Sequence, residues 1–388
     1  MTSAALHYLP EIRERLIDET LATWRAESPQ MGVLVLLPEA ERDAAARIQQ
    51  ICLRLGVPVA GALFPALVEG NTFRSQGAWL MRFDKMPYAA IYPDLPQEPE
   101  KIQASMDAIA ADLISHLGDE RDVTLFLLFD AMVPNIGTLL DELYLRLANR
   151  VHYMGANAGS ESFQPMPCLF DGSRVVQGGV LAMLLPSHPG AVLEHSYTAP
   201  EQMIAATSTE GNRILQIAWR PAFEVYQEMA RAQYGVEIDR QNFYTYAVHF
   251  PFGIMRANGT ILVRIPVALE QDGSLFCVGE VPPNSLLTLL NAPAVDSENT
   301  VNALVDGLTA LAPPPAGQEL LLFYCAGRRL HLGIKAAEDE LHLFAQRSQA
   351  ARIAGALSLG EIGGATQWDY PLFHNATLVA TRWGKPRT

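Results

Sequence analysis

Basic residues are scarce in this sequence. Only 28 Lys and Arg stand against 42 Asp and Glu in 388 residues, a formal net charge of −14. No basic run exceeds Arg328-Arg329. The clustered cations that bind a phosphate backbone by counterion release are missing, which excludes a general nucleic-acid binder. Cysteine is scarcer still. Cys52, Cys168, Cys277 and Cys325 are widely spaced and form no C-x-x-C or C-x-x-C-H, so structural zinc, a thioredoxin-type motif and covalent haem attachment are unsupported. Long apolar runs are also lacking. The longest, Val33 to Leu37 and Val180 to Leu185, have strand length, far short of the ~20 residues of a membrane span. The opening MTSAALHYLPEIRERL has no basic n-region, apolar h-region or small-residue cleavage site, so no signal peptide is read. A reducing cytoplasm with four mostly buried thiols is the expectation, and in that setting the glycosylation-like triplets at Asn258 and Asn375 are chance matches. Local catalytic signatures are absent as well: G-x-S-x-G, the P-loop, G-x-G-x-x-G, H-E-x-x-H and the EF-hand loop. Gly155-Ala-Asn-Ala-Gly159 carries glycines after a strand, but its spacing fits no dinucleotide fingerprint.

What is present is a globular pattern. The chain is 49% hydrophobic and 18% charged, apolar enough to bury a core without staples. Its length predicts two domains, or three. Glu11 to Glu27 has helical spacing, Gly32 to Leu37 reads as a buried strand, and Pro38 to Leu55 as a second helix. Gly56 stands where a left-handed cap is wanted. Val57 to Leu63 is strand again, which completes a βαβ signature. Glu100 to Leu117, Val123 to Phe129, Ile136 to Leu147 and His152 to Asn157 repeat the alternation of helix and strand. The middle of the chain is richer in strands, and Pro221 opens a helix that reaches Tyr234. Further on, Ser297 is a candidate cap for a helix to Leu311, and Ala312 to Gly317 is a stiff proline linker. No repeat of 20–50 residues is visible. The fold class expected is α/β, mixed sheets with flanking helices in two packed regions.

Two polar clusters follow apolar strands in the last third. Phe323-Tyr-Cys-Ala-Gly-Arg-Arg329 ends in two guanidiniums, the forks that fit a carboxylate or phosphate. Gly360-Glu-Ile-Gly-Gly364 offers Glu361 between glycines. Ligand crevices form at strand carboxyl ends, so Arg328, Arg329 and Glu361 are expected on one cavity wall, complementary to a zwitterion such as an amino acid. The competing reading is a structural ion pair. Asn157 and Ser160 are candidate hydrogen-bonding residues, or members of a turn. Cys325 beside two arginines is either a reactive thiol or a buried strand residue. His249, His152 and His374 are candidate axial imidazoles, against the alternative of satisfied core-edge histidines.

These clusters belong to a longer series of segments. VPVAGAL at Val57, HYMGANAGSES at His152, LFDGSRVVQGGVLAMLL at Leu169 and RILQIAWRPAFEVY at Arg213 are followed by HFPFGI at His249 and ILVRIP at Ile261. FYCAGRR, GEIGG and HNATLVA at His374 complete it. In order and spacing the series resembles the bacterial FIST sensory proteins, which carry an N-terminal and a C-terminal FIST region in tandem. The resemblance covers Gly32 to Trp383. It departs at Ala62 to Leu67, which is more apolar than the small polar loop of the family and points to a larger, flatter ligand.

The resemblance implies a non-catalytic signal-input protein, divided as an N-terminal helix over 1–29, a FIST N-type region over 30–225 and a FIST C-type region over 226–385. It implies a small-molecule ligand, an amino acid or haem, and a partner such as a histidine kinase or other signalling protein. One branch of the family is similar to haem-dependent nitric oxide sensors. In such a protein Arg328 and Arg329 would meet the propionates, and His249, His152 or His374 the iron. The rival expectation is a cytosolic enzyme acting on a small anionic or zwitterionic substrate through Cys325 or Glu361.

Overall fold

The computed structural model describes residues 4–118, 122–257, 259–295, 298–312, 316–364 and 370–383. Ser297, Asn258 and the centre of the proline linker, 313–315, lie outside them. The described residues bear out a mixed α/β fold.

The fold is built three times from one plan. Two parallel strands, Gly32–Pro38 and Val59–Phe64, are joined by the helix Ala44–Leu55, whose buried Ala45, Ile48, Ile51 and Cys52 form one face. Gly56 ends that helix at φ 60°, as its missing Cβ permits. A short hairpin, Leu67–Glu69 and Thr72–Arg74, follows, and Ala78–Phe83 then returns antiparallel to the first strand. Thr124–Asp130 and His152–Ala158, then Glu319–Cys325 and Arg352–Ser358, repeat the parallel pair with crossover helices. Their returning strands are Val180–Leu185 and Leu378–Trp383. Each unit also begins with a strand against its own returning strand: Ala4–Leu9, Ala89–Tyr92 and Val192–Glu194. The stretch read from sequence as helical from residue 1 therefore starts as a strand, and its helix is Glu14–Glu27.

Each unit gives its hairpin to a neighbour. The first unit's hairpin extends the third sheet through Leu67 opposite Ala356. The second unit's hairpin extends the first sheet through Leu169 opposite Ala62. The third unit's hairpin, Glu361–Gly363 and Leu372–His374, extends the second sheet through Glu361 opposite Ala156. The exchange closes on itself, and all three six-stranded sheets have the same strand order. Phe64, Phe126 and Phe323, one from each unit and all fully buried, meet with ring centroids 5.6 and 6.0 Å apart. The apolar stretch Ala62 to Leu67 is this packing, sealed from solvent, and not the edge of a ligand site.

The third unit is interrupted after Val192–Glu194 by an eight-stranded sheet and the helix Ala222–Tyr234, and resumes at the helix Asn299–Leu311. The inserted sheet packs on the body through apolar contacts, such as Ile265 with Ala376, and through polar ones. Glu280 accepts from the Thr138 backbone N–H at 2.8 Å and from its hydroxyl at 2.6 Å, at the open start of the helix Ile136–Leu147. An anion suits that position because the first helical N–H groups lack partners. The buried Arg264 of the insertion donates to the carbonyl of Phe373 at 2.8 Å.

One glycine recurs at the middle of the second parallel strand. At Gly355 an added Cβ would lie 1.7 Å from the Leu322 carbonyl oxygen, and at Gly155 2.1 Å from that of Leu127. The obstacle is the backbone of the neighbouring strand, which cannot turn aside. Gly355→Ala should therefore cost about 3 kcal/mol in urea denaturation, the upper part of the usual overpacking range. Gly172→Ala, whose Cβ would meet only Val59 at 3.8 Å, should be close to neutral.

Candidate functional site

The carboxyl ends of the parallel strands in the second and third units face the inserted sheet across a cleft. It consists of two adjoining cavities of about 560 and 210 Å3, which share Phe163, Val267 and Val278 in their walls. The three-unit body supplies Asn157 to the larger cavity and Cys325, Gly327 and Leu330 to the smaller. The insertion supplies Ile265–Val267 and Phe276–Gly279. The location is the one expected of ligand crevices in open α/β sheets.

Asn157 is the polar feature of the larger cavity. Its side chain is 1% exposed, and its Oδ1 has no hydrogen-bond partner among the described residues. A buried acceptor left without a partner costs ~1–3 kcal/mol, and a ligand N–H or O–H would remove that cost. Ser160 is turned elsewhere, pairing with the Ser162 hydroxyl at 2.8 Å in the adjoining turn, while Ser162 itself lines the cavity.

The expected wall of Arg328, Arg329 and Glu361 is dispersed into three separate commitments. The corner after Cys325 is a helix, Ala326–Leu332, which turns Arg328 inward, away from the cleft. Arg328 is 2% exposed and uses all five N–H donors. They go to Glu340 at 2.9 and 2.6 Å, Thr300 at 2.9 Å, and the carbonyls of His195 and Ala376 at 3.0 and 3.4 Å. Arg329 bridges to Glu161 at 2.7 Å across the rim of the smaller cavity and lies over the Phe73 ring. None of the three lines any of the cavities described.

Glu361 lies behind the cleft in a polar cluster that the first unit lacks. Its carboxylate accepts from Ser358 at 2.5 Å and Thr377 at 2.6 Å, and from the Cys325 thiol. By strand register the matching positions of the first unit are Phe64 for Ser358, Leu67 for Glu361, Gly77 for Thr377 and Pro38 for Cys325. Burial pushes the Glu361 carboxyl up to about 7, with the hydroxyl hydrogen bonds opposing. Burial also pushes the Cys325 thiol up, against backbone N–H groups of Arg328, Ala376 and Gly327 that favour the thiolate.

The three histidines fall in three places. His152 is 1% exposed at the amino end of its strand, opposite to the end that carries Asn157, with Asp122 at 3.6 Å. His249 sits on a short helical turn with its Nδ1 2.9 Å from that of His331. His374, 3% exposed, lines a separate cavity of about 320 Å3 with His195, and burial holds its imidazole well below the ordinary range. None of them lines the cleft, and both arginines meant for propionates are held by carboxylates. The residues present do not fit haem in this cleft. Among the described residues no group of three or more His, Cys, Asp or Glu is placed to hold a metal ion, and no helix is long and apolar enough to cross a membrane.

Sequence reasoning missed Glu340 and the insertion's share of the cleft. Glu340 lies one helix beyond Arg328, on the face that carries Ala337, Leu341 and Phe344. A lone acid on an apolar helix face is a usable signal for a buried partner. The segment ILVRIP contains Ile265 and Pro266 of the cleft wall, but nothing local in it marks a site.

Two outcomes follow. Removing Arg328 strands Glu340 without a counter-charge, so Arg328→Ala should cost about 3–5 kcal/mol in chemical denaturation. Glu361 binds its proton more tightly in the folded protein than in the unfolded chain, where the ordinary value is 4.5. Its stabilising contribution is therefore complete below pH 4.5 and lost as the pH rises to about 7, on the order of 3 kcal/mol. Urea titrations across this window should show that slope in the native protein and a flatter profile in Glu361→Gln.

Comparison with known families matches residues 32–220 to the FIST N domain and residues 222–364 to the FIST C domain. No match was found among curated proteins. The first match holds most of the first two units and the opening strands of the insertion, and the second holds the rest of the insertion and most of the third unit. Together they cover most of the chain, which belongs to the FIST family, whose domains are associated with signal transduction and small-ligand sensing.

Proposed function

We propose that this protein is the signal-input member of a regulatory pair. It binds a small ligand in the cleft between the three-unit body and the inserted sheet and passes its occupancy to a partner signalling protein. A histidine kinase is the recipient that the family resemblance implies. The observation that carries this reading is the unpartnered Oδ1 of Asn157, buried in the wall of a cavity of about 560 Å3.

The lining defines the ligand class. Met132, Val133, Phe276 and Phe373 supply apolar surface, and among the described residues Glu270 is the only charged one lining the larger cavity and no cation lines it. The pattern favours a largely apolar molecule with one N–H or O–H to donate, and disfavours anions. A free amino acid meets no guanidinium there, because Arg328 and Arg329 are already paired.

Thermal melting with a panel of small compounds tests the reading. Indole, an apolar ring with one N–H, serves as the probe of the favoured class, beside amino acids and haemin. A saturable rise in Tm with indole is expected, because a ligand that binds only the folded state stabilises it by mass action. Asn157→Leu should abolish the rise while leaving the unliganded protein folded. A rise with amino acids alone would restore a zwitterion site. A Soret shift with haemin would restore the haem-dependent nitric oxide sensor. No response to any of them would overturn the reading.

A further inference from the structure

Phe373, which lines the larger cavity of the cleft, also lines another, of about 260 Å3. That cavity shares Arg256 and Leu372 with the cavity of about 320 Å3 that holds His374. Two arginines line this adjoining pair, and neither is matched with a carboxylate. Arg264 is 2% exposed and lies over the Phe373 ring. Its Nε donates to the Glu280 carbonyl at 2.8 Å, and its Nη1 to the carbonyls of Phe373 and Val263 at 2.8 and 3.0 Å. Its Nη2 has no hydrogen-bond partner among the described residues. Carbonyl dipoles do not cancel a full charge, and a buried charge without a counter-ion is costly. Burial accordingly holds the Arg264 guanidinium down at about 10. Arg256 is half-buried where the two cavities join, and its side chain makes no hydrogen bond or ion pair among the described residues. Carboxylates are not in short supply, with 42 acidic residues against 28 basic ones, and Arg328 and Arg329 both have theirs.

The acids of the same walls are engaged elsewhere. Glu280 accepts from the Thr138 N–H and hydroxyl, and Asp141 accepts from the Tyr370 hydroxyl at 2.8 Å. Burial pushes the Asp141 and Glu194 carboxyls up, against their ionised forms. Two further polar atoms stand open. His374 Nδ1 and Thr209 Oγ1 are buried with no hydrogen-bond partner among the described residues, and both side chains belong to the walls of this pair. The neighbouring His195 is satisfied: its Nδ1 accepts from the Tyr197 N–H at 2.9 Å, and its Nε2 meets the Ile261 carbonyl at 3.3 Å. Buried polar groups are ordinarily hydrogen-bonded. Four side chains with bonds unmade around one connected space are the mark of a site completed by a ligand.

We propose that this pair of cavities is a second ligand site, separate from the cleft, for a short hydroxy carboxylate whose carboxylate lies between Arg264 and Arg256 and whose hydroxyl reaches His374. A carboxylate suits the guanidinium fork, and the Thr209 hydroxyl adds a donor. A single negative charge is favoured over a phosphate dianion because Asp141, Glu194 and Glu280 stand in the same walls. Burial keeps the His374 imidazole neutral, so its Nδ1 accepts the ligand hydroxyl without adding a charge.

Isothermal titration calorimetry of the full chain with 3-hydroxybutyrate, butyrate and inorganic phosphate tests the proposal. Saturable binding of 3-hydroxybutyrate is expected, with butyrate roughly 3- to 10-fold weaker for want of one hydrogen bond. Arg256→Gln should weaken the binding by about 10- to 100-fold, as loss of a hydrogen bond to a charged group does. Arg264→Gln should do the same where it folds; the half-buried Arg256 keeps the test open where it does not. Asn157→Leu, in the cleft, should leave the affinity for 3-hydroxybutyrate unchanged. No binding of either carboxylate, or unchanged binding in Arg256→Gln, would overturn the proposal. Loss of binding in Asn157→Leu would overturn the separate site by placing the carboxylate in the cleft. Phosphate binding as tightly as 3-hydroxybutyrate would overturn the ligand class, and butyrate binding as tightly would overturn the role of His374. A carboxylate that binds while indole leaves Tm unmoved supports this site and counts against the cleft alone.

Discussion

The guanidinium of Arg328 has five N–H groups in a fixed plane, and all five end on acceptors inside the protein. They join its own helix to the helices that carry Glu340 and Thr300, to the segment at His195, and to the turn at Ala376. Tyr324 adds a hydroxyl to the same carboxylate at 2.6 Å. Such a site tolerates little movement, because any shift leaves a charged group unsatisfied in a low-dielectric setting. The consequence reaches the cleft. The backbone N–H groups of Gly327 and Arg328 point at Cys325, and that of Ala376 does so from the turn whose carbonyl Arg328 also holds. Arg328 thus positions the floor of the smaller cavity without touching anything in it.

The same argument explains what was legible in the sequence. Elements with strong periodicity, such as Ala44–Leu55 and Ile136–Leu147 with their one-sided apolar faces, were readable because burial alone dictates them. The segments GAL at Gly61, GAN at Gly155 and GAL at Gly355 carry the repeat, but their spacing is far longer than that of solenoid repeats. The hairpin exchange was hidden for a physical reason. A three-residue strand such as Leu67–Glu69 has too few residues to show alternation, and its partner, Ala354–Ala356, lies far along the chain. The site was legible in part. Apolar strands running into Cys325 and Glu361 marked the right region, and Asn157 was singled out. The direction of Arg328 was not readable, because it depends on whether the chain turns or coils after Cys325. It coils, and a helical turn sends consecutive side chains to different faces.

The threefold plan also bears on how the protein performs a sensory task. Three sheets that trade hairpins in a ring hold one another rigid, since no unit can shift without breaking strand pairs in a neighbour. The inserted sheet takes no part in that exchange. Around the cleft it meets the body through side chains such as Glu280 on Thr138, Arg264 on Phe373 and His249 on His331. Side-chain contacts of this kind break and reform at lower cost than a strand ladder. The division of labour follows. The ring supplies fixed groups, Asn157 and Cys325, at its strand ends, and the insertion supplies the opposite wall. A ligand touching both walls binds best at one separation between them, so it stabilises one placement of the insertion on the ring. Differential binding of this kind is what a signal requires thermodynamically.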